Sequence, residues 1–266
     1  MRKVVHTKEF LKEQIKALGI LPTDTVVIHT SMRAIGETED GPNGVIDAFC
    51  EYLQDGMLVI PTHTWAYVTP ENPVYDVRTT PSNLGVIPAT AAMRNDGVRS
   101  LHPTHSMWVW GKGAEDYVKG EENAPSPTPV GYCWDKLGDI SAKILLIGVD
   151  NTKNTFIHTI DERAQLPDRI GADTDTYTII DGNGNHYTNH QHPLLCSKTE
   201  DISWFYGNFE KPLVEMGVQT FGKFGNAIVR KMDAMTARNL ILKIYSRATE
   251  DIFPQYIEIP ESLYKD

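Results

Sequence analysis

One nine-residue stretch, Thr155-Phe156-Ile157-His158-Thr159-Ile160-Asp161-Glu162-Arg163, carries acid–base side chains at helical spacing. In a helix, His158 shares a face with Asp161 and Glu162, at i+3 and i+4. An imidazole oriented by a carboxylate can take a proton from a nucleophile near neutral pH. The run before it, Ile144-Leu145-Leu146-Ile147-Gly148-Val149, reads as a buried strand, and Thr155 reads as the cap of the helix that follows. Ligands of open α/β sheets collect beyond the carboxyl ends of strands, so the location also suits a general base. A surface helix with a chance His–Glu pair meets the same spacing.

Other segments carry polar groups near expected strand ends. Ile28-His29-Thr30-Ser31-Met32-Arg33-Ala34-Ile35-Gly36 offers hydroxyls, loop amides and a guanidinium, which suit a phosphate-bearing ligand. It lacks the glycine and lysine pattern of a P-loop. Thr80-Pro81-Ser82-Asn83-Leu84-Gly85 precedes an expected helix, whose free amides attract anions; a plain serine cap is the simpler reading. Arg99-Ser100-Leu101-His102-Pro103-Thr104-His105-Ser106 places two histidines around a proline, which excludes an undisturbed helix. These two and His186, His190 and His192 fit polar loops better than zinc, since no Cys or His-Glu-x-x-His pattern supports a metal. No Gly-x-Ser-x-Gly elbow or complete dinucleotide fingerprint is present.

The elements that position these residues follow from periodicity. Lys8 to Leu18 has apolar residues at helical spacing, with Thr7 as a cap and Gly19 as a stop. Val26–His29 and Met57–Ile60 read as buried strands, with Thr30 to Asn43 as a loop and Val45 to Gln54 as the helix between them. That order implies a parallel crossover. The stretch 61–83 reads as a long loop, Gly85 to Arg94 as a helix, Ser106 to Gly111 as a strand and Cys133 to Leu137 as a short helix. The later half changes character: 177–188 and 218–232 read as antiparallel pairs, and Met235 to Thr249 as a last amphipathic helix. The expected fold is a single α/β domain over residues 1–266. Its central, mostly parallel sheet is flanked by helices, with an antiparallel β excursion in the C-terminal half.

Composition narrows the function classes. The 266 residues are 41% hydrophobic and 23% charged, as in an ordinary globular protein. A net charge of −10 argues against a nucleic-acid partner and is compatible with a cationic small molecule. No apolar run approaches a membrane span, and the N-terminal residues lack a signal-peptide core. Cys50, Cys133 and Cys196 are too far apart for a zinc site and odd in number, so a cytoplasmic setting is expected. Nothing in the sequence indicates an oligomeric state.

Taken in order, these segments resemble the aminoglycoside 3-N-acetyltransferase family, also called the antibiotic N-acetyltransferases. The matching pieces are His29-Thr30-Ser31 with Gly36; Pro61-Thr62 with Thr64-Trp65; Thr80-Pro81-Ser82 with Gly85; Arg99-Ser100 with His102-Pro103 and Ser106; the 145–149 strand; and Thr155-x-x-His158. Gly225-x-Ala227 with Arg230 extends the resemblance to the end of the chain. It implies transfer of an acetyl group from acetyl-CoA to an amine, with no metal, and antibiotic resistance as the family's setting. It also implies that His158 is the general base. The family usually has Glu three residues after that histidine; here Asp161 stands there, with Glu162 next, and either is a candidate partner. Pro88, Ala89 and Thr90 replace an expected acidic residue, and Tyr132-Cys133 replaces a Ser-Pro pair, which leaves the acceptor open.

On this reading Thr30, Ser31, Met32, Arg33, Ser82, His102, His105 and Ser106 are candidates for holding CoA. Trp65, Tyr67, Asp76 and Glu162 are candidates for the acceptor, because carboxylates pair with ammonium groups and aromatic faces attract cations. Two other readings remain. One is a metal-dependent hydrolase built on His102, His105 and some of His63, His158, His186 and His190. The other is a CoA-binding protein without transferase activity.

Overall fold

The computed structural model describes residues 4–195, 202–248 and 258–266, so Cys196 and Thr249 lie outside the described residues. The chain begins with α1 (Lys8–Ala17), β1 (Thr25–Thr30), α2 (Met32–Ile35), α3 (Gly41–Tyr52) and β2 (Met57–Pro61). It continues through β3 (Val74–Asp76), α4 (Val86–Ala92), β4 (Val98–Arg99), β5 (Met107–Gly111), α5 (Ala114–Tyr117), α6 (Cys133–Asp139), β6 (Lys143–Ile147) and α7 (Phe156–Arg163). The last part holds β7 (Asp175–Ile180), β8 (His186–Gln191), α8 (Glu210–Glu215), β9 (Gln219–Phe224), β10 (Ala227–Asp233) and α9 (Ala234–Arg247).

Among the described residues the strands form a seven-stranded sheet, ordered β4-β5-β2-β1-β6-β10-β9, and a three-stranded sheet, β3-β7-β8. Only β1 with β2 and β1 with β6 pair in parallel in the large sheet; its other pairs are antiparallel. The sheet is therefore mixed, not mostly parallel. The reason is that β5 and β10 pair antiparallel with β2 and β6 and so cap the parallel centre on both sides. The antiparallel excursion also divides. β9 and β10 extend the main sheet, whereas β7 and β8 join β3, a strand inside the stretch read as loop.

The central strands carry apolar residues on both faces because both faces are covered. Val27, Val59, Ile144 and Leu146 point to one core with α6, α7 and α9; Val26, Ile28, Leu145 and Ile147 point to the other with α1, α3 and α4. Thr7 caps α1 by accepting from the Phe10 amide at 3.2 Å. Gly148, at φ +70°, closes the exit of β6 against α2; a Cβ there would stand 2.3 Å from that of Ala34. Val68, Tyr75, Tyr177 and Ile179 form a small core under the three-stranded sheet. Among the described residues no helix is long and apolar enough to cross a membrane.

Candidate active site

Strand β1 lies between β2 and β6, and the chain departs from it in opposite directions along the sheet. Such a switch point opens a crevice at the carboxyl ends of the strands. Here it holds a cleft of about 720 Å³, lined by His29 and Thr30 from the end of β1, His63 beyond β2, Val149 beyond β6 and His158 from α7. The three-stranded sheet contributes Asp175, Tyr177 and Gln191 to the same cleft.

Helix α7 orients His158 by burying its apolar residues. Phe156, Ile157 and Ile160 enter the core, which leaves the imidazole, 8% exposed, at the cleft. Thr155 lines the cleft but does not cap the helix; its backbone is already helical (φ −56°, ψ −25°), so its hydroxyl makes no capping bond. The Tyr206 hydroxyl lies 2.7 Å from His158 Nδ1 and donates to Asp161 Oδ2 at 2.6 Å. Tyr245 donates to Asp161 Oδ1 at 2.5 Å, and Arg169 Nε lies 3.6 Å from Oδ2. Burial first, then the Asp161 charge, pushes the Tyr206 phenol well above its usual pKa and keeps it protonated. Asp161, only 1% exposed, is thus a buried anion supported by two hydroxyls and a guanidinium.

Glu162 turns elsewhere. It accepts from the Thr128 amide at 2.9 Å, from the Thr128 hydroxyl at 2.6 Å and from the Ser126 hydroxyl, and so ties the 126–128 loop to α7. The shared face read from the sequence places both carboxylates near His158, but loop packing draws Glu162 away and Tyr206 enters from a distant segment.

The candidate CoA residues separate in the same way. Thr30 and His105 line the cleft. Ser31, Met32, Arg33, Ser82, His102 and Ser106 are absent from its lining. Ser31 caps the single-turn α2 by accepting from the Ala34 amide at 3.3 Å, and Arg33 faces solvent. Ser82 accepts from the Leu84 amide at 3.3 Å, and Gly85 stands at the cap position of α4. Ser106 donates to the Thr62 carbonyl at 2.7 Å. His102 Nδ1 accepts from the His105 and Thr104 amides at 2.9 and 3.3 Å. Its proton therefore sits on Nε2 and is donated to the Ser126 carbonyl at 3.0 Å. Burial pushes His102 down to about 4, so it pins the loop as a neutral ring.

On the acceptor side, Trp65 lines the cleft and is 51% exposed. Tyr67 and Asp76 do not line it; Asp76 is engaged by Arg78, with Nη2 at 3.0 Å. The charged residues of the lining, histidines aside, are Lys153 and Asp175.

His29, His63 and His105 make one wall a histidine cluster, with the His63 and His105 ring centroids 4.5 Å apart. Burial pushes His29 down to about 3. His63 and His105 lie well below the usual value, through burial first and then neighbouring imidazoles. Among the described residues no group of three or more His, Cys, Asp or Glu side chains is disposed to hold a metal. His102 has both nitrogens engaged with backbone, and His186 and His190 are exposed on β8.

Sequence reasoning missed Tyr206, Tyr245, Arg169, Lys153, Asp175, Tyr177 and Gln191 as site residues. His29 and His63 carried a signal, because His29 ends one expected strand and His63 follows shortly after another. Tyr206 carried none, since it lies 48 residues from His158.

The chain has relatives among known proteins. The aminoglycoside N(3)-acetyltransferase IV of Salmonella sp is 29% identical over 157 residues, which span 58% of this chain and 58% of that enzyme. The match thus covers somewhat over half the length of that relative. A histidine-to-alanine mutant of aminoglycoside acetyltransferase AAC(3)-IVa, solved in complex with a gentamicin, superposes with a TM-score of 0.78 at 24% identity, covering 93% of this chain and 91% of that one. AAC-IIIb, solved with CoASH, superposes with a TM-score of 0.73 at 19% identity, over 89% of this chain and 94% of that one. The two structures show a shared fold. With residues 27–245 matching the aminoglycoside 3-N-acetyltransferase family model across both sheets and the cleft, the chain belongs to that family.

Proposed function

We propose that the protein transfers the acetyl group of acetyl-CoA directly to an amine of an aminoglycoside-like acceptor, with His158 as general base. The observation that carries this reading is the placement of His158: it lines the switch-point cleft of a chain of this family and is backed by the Tyr206 hydroxyl. An aliphatic amine is largely protonated at neutral pH and attacks only after losing a proton. His158 takes a proton as the nitrogen attacks the thioester carbonyl. The N–C bond forms, the C–S bond breaks, and the departing sulfur leaves as the thiol once it has received a proton from the imidazolium. A positioned base contributes about 10²–10⁴-fold; holding the two substrates together supplies more.

The lining suits both partners. Lys153, with the Thr155 hydroxyl, offers a cation and a donor to CoA phosphates; the apolar Ile28, Val149 and Leu84 suit the pantetheine arm. Asp175, Trp65 and Tyr177 offer a carboxylate and aromatic faces to an ammonium-bearing acceptor. Thiol release from acetyl-CoA, measured over a panel of aminoglycosides and simple amines, tests the reading. We expect turnover with at least one aminoglycoside and a kcat loss of about 10²–10⁴-fold in His158→Ala, with the fold intact. Undiminished kcat in that variant would remove His158 from the mechanism.

A further inference from the structure

We propose that Tyr206 is a positioning residue that sets the tautomer of His158 and couples the imidazole to Asp161 through its hydroxyl. The inference rests on His158 being the base. The argument is one of proton counting. A protonated phenol has a single proton, and Tyr206 donates it to Asp161 Oδ2 at 2.6 Å, the length of a charge-assisted bond. The phenol oxygen, 2.7 Å from His158 Nδ1, is then the acceptor in that second bond. Only an Nδ1–H can donate to it. The neutral ring therefore carries its proton on Nδ1 and its lone pair on Nε2. When Nε2 takes a proton from the amine, the ring becomes cationic, and the Nδ1–H···O–H···carboxylate chain stabilises it without any proton moving to Asp161.

Asp161 itself is held by elements far apart in the chain. Tyr245 comes from α9, Tyr206 from the 3-10 segment Ile202–Phe209, and Arg169 from the stretch before β7. His63 and His105 also lie close enough to His158 to interact electrostatically, and burial keeps both neutral. Among these groups, Asp161 supplies the negative charge that makes the ring a better base, and Tyr206 links the two.

Tyr206→Phe deletes one oxygen and keeps the ring. In the wild type, ¹⁵N spectra of labelled histidine are expected to show His158 as the Nδ1–H tautomer; in Tyr206→Phe they are expected to show a mixture. We expect kcat to fall about 10- to 100-fold, with the KM for acetyl-CoA unchanged. The ascending limb of the pH–rate profile should move to lower pH, because the imidazolium loses its link to Asp161. Asp161→Asn should add little in the Tyr206→Phe background, and Tyr245→Phe, which removes a donor to Asp161 and leaves the Tyr206 link in place, should cost less than Tyr206→Phe. Unchanged kcat and pH limb in Tyr206→Phe would overturn the proposal. So would an Nε2–H tautomer in the wild type, a readout that stands even if Tyr206→Phe does not fold. If no amine is turned over by the wild type, the base reading fails, while the tautomer measurement still decides the role of Tyr206.

Discussion

Two histidines of the same cleft are backed by hydroxyl relays that end on different groups. His158 leads through Tyr206 to the Asp161 carboxylate. His105 Nδ1 lies 3.0 Å from the Thr104 hydroxyl, which donates to Gln191 Oε1 at 2.6 Å. That short contact has the length of a hydroxyl–carbonyl bond, so Thr104 spends its proton on Gln191 and His105 donates from Nδ1. Both relays therefore leave a lone pair on Nε2, but they differ in charge. The carboxylate stabilises a cationic ring; the amide does not, and burial holds His105 well below the usual imidazole range. Local geometry is nearly the same, and under the proposed mechanism the charge of the terminal group is what separates the base from a neutral hydrogen-bond acceptor.

The largest test makes the first relay resemble the second. Asp161→Asn keeps the shape and removes the charge, and kcat is expected to fall about 10²-fold or more, measured by thiol release. Near-normal turnover would break the comparison. The reciprocal change, Gln191→Glu, gives His105 a carboxylate terminus. A second ionisation should then enter the pH–rate profile, with kcat/KM for a cationic amine falling about tenfold on acidification as an imidazolium meets an ammonium. A profile identical to wild type would show that the terminal charge does not reach His105.

Glu162→Gln sharpens the contrast between the neighbouring carboxylates. It loosens the 126–128 loop at a cost of about 1–2 kcal/mol in denaturant unfolding, with kcat within about twofold of wild type. A kcat loss matching that of Asp161→Asn would return Glu162 to the base. The smallest effect at neutral pH concerns the buried rings. His29 and His102 have folded-state values of about 3 and about 4, below the ordinary 6.5. The unfolded chain binds more protons between those values, so their contribution is complete above about pH 6.5 and is lost as pH falls toward 4 and 3. Melting temperature should decline over that window, and less steeply in His102→Gln; parallel curves would exclude His102 from the acid response.

The parts of the fold legible in sequence were those with a local cause. The α1 cap, the buried runs of β1, β2 and β6, and both antiparallel pairs follow from short-range periodicity and turn chemistry. The direction of β5 and β10 against the parallel centre was not legible, because an apolar run does not encode the polarity of its neighbour. Ser31, Ser82 and Ser106 show the limit for sites: the residues were noticed, but their hydroxyls serve the fold's own amides and carbonyls.

The sequence by itself determined that the chain is an α/β protein of this family, that His158 follows a central strand, and that two carboxylates lie one turn beyond it. Tertiary structure decided which carboxylate serves the imidazole and through what. Asp161 faces the core, where Tyr206, Tyr245 and Arg169 converge from separate elements, while Glu162 faces the 126–128 loop. Helical spacing sets which residues share a face, but a buried charge comes to rest where distant packing supplies its donors.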